Sequence, residues 1–214
     1  RAMGHKVVLN TGRALGYVPK EIAELPLWDG KICGSTYVEY KGELLEHHPL
    51  SKTVLEQVVR WGEQKKVCVI LEGERESFSV GGDLPSAREM LKRRELPAIT
   101  KVTFCCEPAL VEQKDFPQLR VVHFKSYAEG ILSGFDKSVG MKKIMELEGL
   151  KREDLWAFGD SENDRDMLLF AGNAVCMPGA PADFDHFVRY RCKKEDGVPE
   201  ALEKFFFAEQ GLPE

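Results

Sequence analysis

Apolar residues along this chain come in short runs broken by polar residues, glycine and proline, and the breaks define the expected elements. The run over 6–10 ends at Thr11-Gly12-Arg13 and predicts a buried strand followed by a turn. A helix is expected over 16–25, with Pro19 in its first turn. Apolar positions on both sides of Lys41-Gly42 predict two strands joined as a hairpin. Ser51 is placed to cap a helix in which Val54, Leu55, Val58 and Trp61 share a face and Gly62 lies near the end. Strands follow at 66–73 and 76–80, joined by a charged turn. Next come a helix capped by Ser86, a strand over 99–106, a short helix over 107–114 and a strand over 118–126.

From about residue 129 helices and strands alternate. Helices are expected over 136–150, 161–172 and 197–207, with a helical turn over 180–187. Strands are expected over 155–160, 173–177 and 188–192. This alternation implies parallel strands joined by right-handed crossovers. The chain therefore reads as α/β. A Rossmann-like parallel-sheet core, built from 1–45 and 129–214, is interrupted by an inserted α+β domain over 46–128.

Composition narrows the functional classes. The 214 residues are 43% apolar and 30% charged, ordinary for a soluble globular protein. A net charge of −5 argues against a nucleic-acid or anionic-membrane partner, because both need a basic face. No apolar run approaches the roughly 18 residues of a membrane span, and nothing at the start reads as a signal peptide. The six cysteines lie in or beside β-branched and aromatic runs, without C-x-x-C spacing. Free thiols in a reducing cytoplasm are the economical reading. Oligomeric state leaves no mark in the sequence.

Ligands of an open parallel sheet meet the carboxyl ends of its strands. Thr11-Gly12 follows the first strand, Lys137 precedes the 138–149 helix segment, and Asp160 ends the run Leu155–Gly159. Together they offer a hydroxyl and a backbone N–H, a cation, and a carboxylate with Asn163 and Asp164 as neighbours. That set suits phosphoryl transfer: donors and a cation for the phosphoryl oxygens, and hard oxygen ligands for Mg²⁺. Plainer accounts stay open for each piece. Ser161 with acidic residues behind it is a good helix start, Thr11-Gly12-Arg13 can be a simple turn, and most lysines are solvated. The order and spacing of all three are more specific than any one.

That order resembles the haloacid dehalogenase superfamily of phosphohydrolases. "VVLNTGR" is similar to its second motif, with Thr11 as phosphate ligand. Lys137 in "GFDKSVGMKKIMELEGL" is similar to the third-motif lysine, although Ser138 and Gly140 depart from the usual K-G-x-A-L. "FGDSENDRDML" resembles the fourth motif, in which Asp160 ligates Mg²⁺ with support from Asn163 and Asp164. The segment 177–202 resembles the tail of the Cof-type subgroup, and an insertion between the second and third motifs implies its class IIB α/β cap. The resemblance implies a Mg²⁺-dependent phosphatase of small phosphorylated metabolites such as sugar phosphates, with Thr11, Gly12 and Lys137 holding the phosphoryl group.

The family's first motif, D-x-D-x-T/V, supplies the attacking aspartate and belongs upstream of Thr11. The D-x-D strings present, Asp164-Arg165-Asp166 and Asp183-Phe184-Asp185, do not follow a strand in the required way. The expectation is that a further strand and helix precede Arg1, and that these 214 residues alone turn over nothing. The alternatives are a non-catalytic binding or regulatory relative, or a phosphomutase of similar architecture.

Other residues invite functional readings that plainer ones outweigh. His47 and His48, if in a strand, point to opposite faces and do not share one ion. Lys92-Arg93-Arg94 reads as a solvated helix end. Cys33-Gly34-Ser35 stands where relatives carry N-G-A near the substrate, and Cys33 reads as a small buried residue. Arg13 either braces the phosphate loop or pairs with an acidic neighbour.

Overall fold

The computed structural model describes residues 1–207; residues 208–214, the end of the expected core segment, lie outside the described residues. The fold is mixed α/β, and among the described residues two of the three sheets contain parallel strands. The chain divides into two compact units, Arg1–Gly140 and Met141–Glu214.

In the first unit, β1 (Val8–Thr11) is followed by α1 (Lys20–Ala23) and β2 (Gly30–Cys33). β1 and β2 pair in parallel, which puts Thr11 opposite Cys33. β3 (Tyr37–Tyr40) and β4 (Glu43–His47) extend the sheet antiparallel in the order β1-β2-β3-β4. The helix expected over 16–25 is shorter than its pattern. Val18 is extended (ψ 123°) before Pro19, as a residue preceding proline prefers. Leu15–Tyr17 is consequently an isolated 3₁₀ turn, and Pro19 stands just outside α1.

Two strands were expected around Lys41-Gly42, and three form. The expected hairpin turn is there, with φ of 52° at Lys41 and 81° at Gly42. A second tight reversal, at Gly34-Ser35, has φ of 56° and 63°. Positive φ at both central residues is the geometry whose twist matches paired strands. Serine at the second position gives little sequence signal for it.

The second sheet of this unit is antiparallel. β5 (Cys68–Gly73), β6 (Ser77–Val80), β7 (Ile99–Cys105), β8 (Leu119–His123) and β9 (Ala128–Leu132) lie in the order β6-β5-β7-β9-β8. α2 (Lys52–Lys65) and α3 (Ala87–Met90) pack on one face. Ser51 and Ser86 cap them, each hydroxyl accepting from the backbone N–H three residues on. β9 is an addition to the elements expected. Gly130 interrupts its pattern for a packing reason: a Cβ there would lie 2.8 Å from Val102 Cγ2 and 3.0 Å from Leu119 Cδ1. The helix expected over 107–114 is two 3₁₀ turns, Pro108–Leu110 and Gln113–Asp115.

Strand alternation gives this sheet two chemically distinct faces. Val69, Leu71, Val102, Phe104 and Ala128 point into the core with Leu55, Val58, Trp61 and Phe116. The rings of Trp61, Phe104 and Phe116 contact one another at centroid distances of 5.0–5.6 Å. Glu72, Lys101, Thr103 and Glu129 lie on the other face. Lys101 Nζ reaches Glu129 Oε1 at 2.8 Å and Glu72 Oε1 at 3.2 Å, and the Thr103 hydroxyl donates to Glu72. Burial alone would lower the Lys101 ammonium, but the two carboxylates outweigh it and hold it above its usual range.

α4 (Lys137–Glu148) leads into the second unit, where β10 (Trp156–Gly159), α5 (Arg165–Phe170), β11 (Asn173–Cys176), β12 (Tyr190–Arg191) and α6 (Gly197–Leu202) follow. The three strands pair in parallel in the order β10-β11-β12, as the alternation predicts. The helix expected over 161–172 is a 3₁₀ turn, Glu162–Asp164, followed by the shorter α5. No helix among the described residues is long and apolar enough to cross a membrane.

The aromatic cluster anchors α2 and the turns after β7 to the five-stranded sheet. Phe104→Ala is expected to cost about 3–5 kcal/mol, the usual range for emptying a fully buried aromatic site. Urea unfolding followed by Trp61 fluorescence checks this, and an unchanged midpoint would show that the cluster is dispensable.

Candidate functional site

Thr11 closes β1 and Gly12 begins the turn after it. The Thr11 hydroxyl accepts from the Arg13 backbone N–H at 3.2 Å, and the Thr11 carbonyl accepts from Gly34 N–H at 3.0 Å. The turn is thus held to its own backbone and to the adjacent β2–β3 reversal. Asn10, one residue earlier, donates from Nδ2 to the Lys137 carbonyl at 2.8 Å. That bond ties the carboxyl end of β1 to the start of α4.

The start of α4 is fixed in two further ways. Asp136 Oδ1 accepts from Ser138 N–H at 2.6 Å, as a helix-capping carboxylate does. Gly140 lets the helix approach the sheet closely: a Cβ there would meet Val38 Cγ2 at 2.8 Å and Ile32 Cδ1 at 2.9 Å. The glycine that departs from the K-G-x-A-L pattern is therefore a packing requirement of this chain. Lys137 itself is 7% exposed. Thr11, Gly12 and Lys137 accordingly belong to one local assembly within the first unit.

Sequence reasoning missed the neighbours of that assembly. Arg13 Nη1 donates to the Tyr17 carbonyl at 3.3 Å, so it braces the segment after the turn. That segment lies on β5, where a Cβ on Gly16 would come within 2.7 Å of the Gly73 carbonyl oxygen. The Tyr17 hydroxyl bonds Ser77 and sits in the field of Glu72 and Lys101. Tyr127 lies near Glu129, Lys101 and Arg13, and burial raises its hydroxyl pKa. The polar face of the five-stranded sheet thus borders the segment that follows Thr11. Only strand pairing across long sequence separations reveals that adjacency.

In the second unit, Asp160, Asn163 and Asp164 gather in the turn after β10. Asp164 is 3% exposed, and its Oδ2 accepts from the Asp160 N–H at 2.9 Å, the Ser161 N–H at 3.0 Å and the Ser161 hydroxyl at 3.2 Å. The Ser161 hydroxyl also contacts Asn163 Oδ1 at 2.8 Å. Asp164 therefore shapes the turn, while the Asp160 side chain is exposed. Glu162 is drawn away by Arg165, which binds it through Nε at 2.5 Å and Nη2 at 2.8 Å. The same guanidinium reaches Asp183 Oδ2 at 2.7 Å and lies 4.8 Å over the Phe184 ring. These bonds raise the Arg165 pKa and hold the Asp183 carboxyl below its ordinary range. Arg191 organises the loop after β11, donating to the carbonyls of Met177, Pro178, Ala180 and Pro181 and to Asp185 Oδ1. Neither arginine carried a signal in the sequence reading.

Among the described residues no three His, Cys, Asp or Glu side chains cluster as a self-sufficient metal site. One exposed carboxylate on a turn whose shape is already fixed fits Mg²⁺, which takes one or two carboxylates and completes its shell with water and phosphate oxygens. It would not fit Zn²⁺, which takes nitrogen and sulfur ligands in a closed tetrahedral set.

The remaining candidates take structural roles. His47 Nε2 meets Glu74 Oε1 at 2.5 Å and His48 Nε2 meets Glu46 Oε2 at 2.6 Å, so the two rings serve different carboxylates. Lys92 pairs with Glu89, and Arg93 pairs with Glu76 and covers the Phe78 ring. Cys33 is fully buried, and burial pushes its thiol up to about 12.

A family model described as haloacid dehalogenase-like hydrolase matches residues 1–107 and 110–202. The 5-amino-6-(5-phospho-D-ribitylamino)uracil phosphatase YitU of Bacillus subtilis is 32% identical over 131 residues, covering 60% of this chain and 46% of that protein. The chain thus spans less than half the length of that relative. YkrA of the same bacterium is 22% identical over 217 residues, covering 94% of this chain and 84% of that one. Among solved structures, BT4131, described as a subclass IIB sugar phosphatase, matches with a TM-score of 0.82 at 21% identity, covering 95% of this chain and 86% of that one.

The Arg165–Asp183 contact carries a pH signature. A carboxyl depressed in the folded state contributes stability that is full above the ordinary aspartate range and is lost as pH falls through the depressed value. Arg165→Gln is expected to return Asp183 to the ordinary range and to remove that part of the acid dependence. Carboxyl ¹³C titration of Asp183 reads this directly, and an Asp183 titration identical in both proteins would refute the pairing.

Proposed function

Because this chain belongs to the haloacid dehalogenase-like hydrolases, we propose that it serves a Mg²⁺-dependent phosphomonoester hydrolase acting on small phosphorylated metabolites such as sugar phosphates. The observation that carries the reading is the fixed junction of β1 and α4, where Asn10 holds the Lys137 carbonyl beside Thr11 and Gly12. Phosphoryl transfer asks little covalent chemistry of a protein beyond positioning and charge stabilisation, and these residues suit that work. In this reading the Thr11 hydroxyl and Gly12 N–H donate to phosphoryl oxygens. The Lys137 ammonium offsets their charge from a site that excludes most water.

Asp160 would hold Mg²⁺ with support from Asn163 and Asp164, and the chemistry the ion would supply is Lewis-acid charge. Asp164 acts by fixing the turn that presents Asp160. In this scheme the attacking carboxylate is the aspartate of the family's first motif. The inserted α+β domain expected over 46–128, whose five-stranded sheet is completed by β9 as far as Leu132, serves as a cap that excludes solvent and selects the leaving group. The polar face bearing Glu72, Lys101, Thr103 and Glu129 is suited to a hydroxylated leaving group. The reading has no nucleic-acid or membrane partner and places the protein in the cytoplasm.

The test is a panel of phosphomonoesters offered, with and without Mg²⁺, to the protein expressed from its complete coding sequence. Turnover of small phosphate esters that depends on Mg²⁺ is expected. Asp160→Asn and Lys137→Ala are each expected to lower kcat/KM by on the order of 100-fold or more. Full activity in either variant would remove that residue from the scheme. Phosphate binding without turnover of any ester would favour a non-catalytic relative.

A further inference from the structure

The polar face of the five-stranded sheet ends in a pair of thiols that the proposed hydrolysis does not use. Cys68 opens β5 and Cys105 closes β7, and the antiparallel register sets them directly opposite each other. Alternation puts both on the face opposite the apolar core. Cys68 is in line with Ile70 and Glu72 along β5, and Cys105 with Thr103 and Lys101 along β7. The Cys68 thiol lies close enough to Cys105 to act on its titration. Residues opposite in an antiparallel pair have Cα atoms about 4.5–5.5 Å apart, within the roughly 4.4–6.8 Å that a disulfide spans. Cys105 is exposed and Cys68 half-exposed, so a small reagent has access.

The third thiol nearby does not compete. The chain turns immediately after Cys105, where Cys106 N–H donates to the Phe104 carbonyl at 3.0 Å, and Cys106 packs against the apolar core on the other side. All six cysteines are free.

We propose that Cys68 and Cys105 form a cross-strand dithiol that closes to a disulfide by exchange with a small-molecule disulfide of the glutathione class. The Cys105 thiolate attacks one sulfur of the reagent, forming a mixed disulfide and releasing one thiol. The Cys68 thiolate then attacks the Cys105 sulfur, which forms the protein disulfide and releases the second thiol. Two protein thiols are oxidised to one disulfide, and one small disulfide is reduced to two thiols. Burial and the neighbouring Cys68 push the Cys105 thiol up to about 11. Its thiolate is therefore scarce at neutral pH and the exchange slow. The same thiol is a poor leaving group, so the bond once made resists reduction.

The experiment is to incubate the folded protein with excess oxidised glutathione in alkaline buffer, block remaining thiols by alkylation and map the peptides by mass spectrometry. Loss of two of the six thiols is expected, with the peptides bearing Cys68 and Cys105 linked and released by dithiothreitol. Cys106→Ser is expected to leave that link intact. Cys68→Ser is expected to stop the reaction at a glutathione adduct on Cys105. A Cys105–Cys106 link, a lasting adduct on Cys105 in the unaltered protein, or no loss of thiols would each overturn the proposal. None of these readings depends on phosphatase activity, so failure here and failure of the hydrolase assignment are separate results.

Discussion

One hydrogen bond joins residues 127 positions apart and fixes one end of the first unit: Asn10 Nδ2 on the carbonyl of Lys137. An amide on the penultimate residue of a short strand holds the first residue of a helix that the chain reaches only after the whole five-stranded sheet. The bond is possible because α4 lies close to β2 and β3, and that closeness exists because position 140 has no side chain. Sheet, helix and turn are each ordinary, and it is their mutual approach that brings the end of β1 against the first residue of α4.

Much of this was legible in the sequence because the signals are local. A serine before an amphipathic run caps α2, a turn dipeptide makes the β3–β4 hairpin, and glycine-rich or acidic breaks mark the strand ends carrying Thr11 and Asp160. The expected α/β class follows from those alternations. What stayed hidden depends on partners distant in sequence. β9 lacks a periodic pattern because its central glycine answers to Val102 and Leu119. The Gly34-Ser35 reversal uses a serine where a second glycine or asparagine would have announced it. Several expected helices shrink to single turns, since apolar spacing records which face is covered and not how long the hydrogen-bonded ladder runs.

The acidic stretch from Asp160 to Asp166 also separates into different tasks once partners are known. Glu162 belongs to a guanidinium that also takes Asp183, and Asp164 belongs to the backbone of its own turn. Negative charge that looked like one feature separates into Glu162 and Asp164 in structural contacts, Asp160 exposed, and Asp166 in the first turn of α5. A linear reading sees the charges and not the arginine, because Arg165 is itself embedded among them.

A turn whose shape is written by its own internal carboxylate has already surrendered its freedom when the protein folds. Under the proposed function, a Mg²⁺ ion arriving at Asp160 would have no loop left to immobilise. Affinity there would rest on the ion's radius and hydration rather than on induced ordering. Ions of like charge and different size would be discriminated with little heat-capacity change, since almost no surface would move on binding.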